Sequence, residues 1–147
     1  MTATTMIERH HHVLLELLAP GGAAGRLEER IVAILDAAMA ELAVEAVALR
    51  ALAAHALEEV RDHFQAHARA RLALFRMATS PSDSSAIDQA MRDLGEAFVD
   101  RPRALVALLG KHLDPDALAL LGAEMEAVAT AGADGPRRTT PSDAELR

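Results

Sequence analysis

An all-α fold is predicted by three features of this 147-residue chain. About half of the residues are apolar, yet the aromatic ones are three phenylalanines without Trp or Tyr, so the core must be built from Ala, Leu, Val, Ile and Met. Such side chains suit close-packed helices better than a sheet, which favours β-branched and aromatic residues. Apolar positions recur at steps of three and four, and no stretch alternates as a strand would. Finally, no Gly or Pro interrupts the chain between Gly25 and Pro81. The length fits one domain, expected over residues 1–132 as a bundle with a polar, flexible tail over 133–147.

Thr5-Met6-Ile7-Glu8 has the spacing of a capping box, which opens a first helix running to about Leu18 before Pro20-Gly21-Gly22. Its stripe is Ile7, His11, Leu14 and Leu18. His10 and His12 flank it toward solvent, and His12 can pair with Glu16 one turn on. The second helix begins near Leu27, with Glu28 and Glu29 at its positive end. Its stripe reads Ile31, Leu35, Ala38, Leu42, Glu45, Leu49, Leu52, and Glu45 breaks an otherwise apolar seam. A buried carboxylate needs a cation, a metal, a donor or a raised pKa.

As one helix, the breaker-free stretch would reach roughly 80 Å. A break near 53–57 is therefore expected, the alternative being one long helix exchanged between two chains. The third helix, ending near Met77, carries Ala56, Val60, Ala70 and Leu74 on one stripe, with His63 and His67 inside it. Thr79 to Ser85 reads as a polar loop. A fourth helix from about Ala86 carries Ile87, Met91, Leu94, Phe98, Leu105 and Leu109, restarting at Pro102 with Asp100 as its cap. Gly110 and Asp114-Pro115-Asp116 end it and open a fifth, with Leu118, Leu121, Met125 and Val128 on its stripe, up to Gly132.

The formal charge of −7 argues against a nucleic-acid partner and against an anionic membrane surface, both of which call for clustered Lys and Arg. With no cysteine, disulfides, thiolate metal sites and a cysteine nucleophile are excluded. The start carries no basic region followed by an apolar run, and no apolar stretch is long enough to span a bilayer. A cytoplasmic protein is the resulting expectation.

The order of four motifs resembles bacterial hemerythrin-like (HHE cation-binding) domains over about residues 6–130. These are Ile7-Glu8-Arg9-His10-His11-His12-Val13-Leu14-Leu15-Glu16, Glu41-Leu42-Ala43-Val44-Glu45-Ala46, Ala66-His67 followed by Pro81-Ser82-Asp83, and Leu121-Gly122-Ala123-Glu124-Met125-Glu126-Ala127. The resemblance implies an up-and-down four-helix bundle, here with a C-terminal helix, and a di-iron site. On that pattern His11 matches the ligand of the first helix and His67 one of the third, with His63 as a second. Glu45 stands where the second helix should present His, and Leu49 replaces a bridging Glu. Phe98 takes a histidine place, and Pro102 falls where the second carboxylate belongs. A di-iron centre needs bridging carboxylates, so this ligand set is degenerate. A second likeness, of Ile34-Leu35-Asp36-Ala37-Ala38 and its sequel to the opening of TetR-type repressors, lacks the glycine turn and basic recognition helix.

The residues themselves offer three inward histidines and one inward carboxylate. One reading makes Glu45 and a histidine partner (His67, His11 or His63) an acid/base pair acting on a small organic molecule, in cyclase or isomerase fashion, without a cofactor. Its pocket would be lined by Leu49, Phe98, Leu14, Leu42, Phe64 and Leu94. The alternative places one divalent cation, iron or zinc, on His11, Glu45, His63 and His67. A third reading is a non-catalytic structural or partner-binding bundle. Self-association as a homodimer through the alanine-rich helices is expected.

Overall fold

The computed structural model describes residues 1–19, 27–80, 82–98 and 100–138, with side chains for all of these except Leu27 and 132–138. Helices account for nearly all of them, and no strand occurs among the described residues.

Helix α1 (Ala3–Leu18) opens three residues before the expected capping box. Thr2 is its cap, and the Thr2 hydroxyl accepts from the Thr5 amide at 3.4 Å. The earlier start adds Ala3 to Met6 and Ile7 on the buried face, which a start at Thr5 would forfeit. The expected stop at Pro20-Gly21-Gly22 lies outside the described residues.

Helix α2 (Leu27–Thr79) is two arms joined at Ala56, where the backbone leaves helical values (φ −151°, ψ 60°), inside the expected window. The arms fold back on one another. His67 Nε2–H donates to the Leu42 carbonyl at 3.0 Å across 25 residues of sequence, which a straight helix would separate by about 37 Å. That bond overturns the exchanged-helix alternative, because both arms pack within one chain.

Helix α3 (Ser84–Phe98) starts two residues earlier than expected, since Asp83 caps it by accepting from the Ala86 amide at 3.0 Å. Helix α4 (Arg101–His112) restarts at Pro102 as expected, but Asp100 makes no side-chain cap bond. A proline in the first turn removes one of the donors a cap would satisfy. Gly110 lies inside α4 rather than ending it. Helix α5 (Pro115–Arg138), capped by Asp114 through the Ala117 amide at 2.8 Å, runs past Gly132, so the expected tail is helical over 133–138. Residues 139–147 lie outside the described ones.

Two apolar clusters fill the interior. One joins the start of α1, the hairpin end of α2, α4 and α5 through Met6, Ile7, Val47, Leu52, Leu109 and Met125. The other joins the end of α1, the open end of α2, and α3 through Leu14, Ile34, Leu42, Met77, Leu94 and Phe98. Between them every stripe changes character. Ile7 and Leu14 flank His11, Leu42 and Leu49 flank Glu45, Val60 and Ala70 flank His63 and His67, and Phe98 and Leu105 flank Arg101. A polar layer thus divides the core. Among the described residues, no helix is long and apolar enough to cross a membrane.

The N-terminus is seated on α5, where a Cβ added at Gly122 would lie 2.0 Å from the Met1 carbonyl oxygen. Gly122→Ala is expected to lift that turn off α5 and cost about 1–3 kcal/mol in urea denaturation. Gly110→Ala, whose Cβ meets nothing within 4 Å, should instead stabilise by about 0.5–1 kcal/mol. Equal effects at the two positions would contradict this seating.

Candidate functional site

The polar layer is built from residues that helical spacing forces inward. Glu41 and Glu45 lie one turn apart on the first arm of α2, and both are fully buried. Arg101, only 7% exposed, sits at the start of α4 on the stripe running from Phe98 to Leu105. Its Nη2 donates to Glu45 Oε2 at 2.5 Å, and its guanidinium lies over the Phe98 ring, 4.9 Å from the centroid. Glu45 and Phe98 therefore fix the plane and position of this cation. His11 brings Nδ1 to 3.4 Å from Glu41 Oε1 without hydrogen-bond geometry. Both Glu41 oxygens, Glu45 Oε1 and Arg101 Nε and Nη1 have no hydrogen-bond partner among the described residues.

Burial pushes Glu45 up to about 7, opposed by Arg101, reinforced by Glu41 and opposed more weakly by His11. Burial likewise raises Glu41, with His11 and Arg101 pulling the other way. His63 is held below its ordinary value by burial and then by the Arg101 charge, against a weaker opposing pull from Asp62. Burial also lowers His67. Its bond to Leu42 opposes that shift, and Arg101 and Arg71 add to it. Half-buried His63 and His67 thus favour the neutral imidazole.

A groove-like cavity of about 690 Å³ opens between the second arm of α2 and the α3–α4 segment. His63, Arg69 and Arg76 line one side, and Asp93, Glu96, Asp100 and Arg101 the other. It exists because Ala66, Ala97 and Ala104 present small side chains where the segments face one another.

The expected residues divide accordingly. His63 lines the cavity, whereas Glu45 lies behind Arg101 and does not reach the wall. His67 is engaged by Leu42, and His11 faces Glu41 on the α1 side. None of the expected pocket residues lines the cavity. Leu49, Phe98, Leu14, Leu42 and Leu94 are buried in the two clusters, and Phe64 is 39% exposed on the surface. Among the described residues, no three His, Asp or Glu side chains are placed to hold one metal ion. The residues do not fit a dimetal centre either. Leu49 and Phe98 are apolar and packed, and a guanidinium occupies the Glu45 carboxylate.

Glu41 and Arg101 escaped the sequence reading, although both leave a signal. Glu41 sits four residues before Glu45, and Arg101 falls three after Phe98 and four before Leu105, so each extends a seam already identified. Outside the layer, His12 pairs with Glu16 at 3.1 Å as expected. His112 lies 3.2 Å from Glu59, which Lys111 and His112 hold below the usual carboxylate range. Comparison with family models, curated proteins and solved structures returns no match.

The pair makes its own stability prediction. Glu45→Leu strands the buried Arg101 and is expected to cost about 3–5 kcal/mol, whereas Glu45→Leu combined with Arg101→Leu should be near neutral, both read by urea denaturation. A harmless single substitution would show that the pair does not form.

A pH dependence follows with a definite sign. Glu45 binds its proton more tightly folded than unfolded, so its contribution is full below its ordinary value near 4.5 and is lost as pH rises to about 7. His63 and His67 act oppositely, losing their contribution as pH falls below 6.5. The stability of the natural chain minus that of Glu45→Gln should therefore shrink between pH 4.5 and about 7. A difference that grows with pH would contradict the burial-driven shift.

Proposed function

We propose that this chain is a hemerythrin-like bundle with a degenerate metal site, and that it carries out acid/base chemistry, of cyclase or isomerase type, on a small organic molecule. The observation that carries the reading is that two side chains line one cavity from its opposite sides. His63, held toward its neutral form, lines the same cavity as Arg101, a cation fixed by Glu45 and Phe98. A neutral imidazole accepts a proton from carbon beside a carbonyl, and an adjacent guanidinium stabilises the oxyanion that forms. His63 takes the role of base. Arg101 stabilises the developing charge, while Glu45 is a positioning residue behind it. The cavity volume suits a small-molecule site. A cytoplasmic location and a homodimer belong to the same proposal.

One observation favours a second, purely structural reading: Glu45 and Arg101 neutralise one another without any ligand. Hydrogen–deuterium exchange separates the two. The full chain, incubated in D₂O with a panel of small ketones and keto acids, is expected to exchange protons beside the carbonyl faster than buffer does. His63→Gln, checked for retained fold by circular dichroism, should lower that rate by about a hundredfold. Exchange that is absent, or indifferent to His63→Gln, would favour the structural reading.

A further inference from the structure

The cavity walls carry charges of both signs. From the second arm of α2 come Asp62, Arg69 and Arg76, and from the facing segment come Asp93 and Glu96 on α3, Asp100 before α4 and Arg101 at its start. Arg76 and Asp93 approach to 3.9 Å and close one end. The side chains of Arg69, Glu96 and Asp100 have no ion-pair or hydrogen-bond partner among the described residues, although they face a common space. Toward the other end lies Arg101, more than nine-tenths buried, with Nε and Nη1 unpartnered. Leu72, Ala97 and Ala104 add apolar surface to the same lining.

A purely anionic ligand would meet Glu96 and Asp100, and a purely cationic one would meet Arg101 and Arg69. A molecule carrying both charges, separated by an aliphatic spacer, satisfies the two walls together.

We infer that the cavity takes a small ω-amino-carboxylate, its carboxylate on Arg101 and Arg69, its methylenes along Leu72, Ala97 and Ala104, and its ammonium on Glu96. This goes beyond the proposed function by naming a ligand class, and it rests on that reading only in taking the cavity as the site.

The test uses the full chain, titrated by NMR with 6-aminohexanoate, hexanoate and hexylamine. The zwitterion is expected to bind at least about tenfold more tightly than either singly charged analogue. Glu96→Gln and Arg69→Gln, both at exposed positions, should each erode that preference. Ala97→Leu, which fills the space from the α3 wall, should abolish binding while circular dichroism reports an intact fold. Hexanoate binding as tightly as 6-aminohexanoate overturns the charge-pair assignment and leaves the cavity as a site for anions. Failure of all three probes to bind, or binding that survives Ala97→Leu, overturns the inference outright. The deuterium-exchange experiment reads the His63 chemistry independently of this ligand, so the two failures are distinguishable.

Discussion

One ion pair organises this molecule. Glu45 on α2 and Arg101 on α4 meet in the plane where two apolar clusters end, and each would be prohibitively costly to bury alone. Arg101 opens α4 immediately after α3 ends at Phe98, so the pair also fixes how the fourth segment restarts against the hairpin. The rest of the polar layer follows from it. Glu41 lies one turn from Glu45, His11 lies opposite Glu41, and the Arg101 charge reaches both His63 and His67.

Polar atoms left unpartnered at 0% exposure weaken a fold, each by about 1–3 kcal/mol. Replacing the layer by leucines would give one continuous apolar core, and helical propensity would not oppose it. A layer of such cost, beside a cavity that three alanines leave open, is the local conflict on which the proposed site rests.

Much of this was legible in the residues. The stripes identified His11, Glu45, His63 and His67 as inward-facing, and the Ala56 break fell where chain length demanded one. The partner of Glu45 was not legible, because Arg101 belongs to a helix start that the proline signal marked only as a boundary, and because pairing across 56 residues leaves no local trace. The cavity was misplaced for a related reason. Large apolar residues such as Leu49 and Phe98 suggested a pocket lining, but large side chains fill space, and the opening arises where Ala66, Ala97 and Ala104 fail to fill it. The early start of α1 was hidden by three neighbouring threonines, any of which could cap, and only packing against α5 selects Thr2.

The most direct measurement of the central claim is the guanidinium spectrum of the natural chain at neutral pH. A buried Arg101 bonded to Glu45 and stacked on Phe98 should give resolved, slowly exchanging Nη–H resonances, distinct from those of the exposed arginines, with a scalar coupling across the bond to one glutamate carboxyl carbon. Arginine Nη–H signals that are all averaged by rotation and solvent exchange would contradict the account.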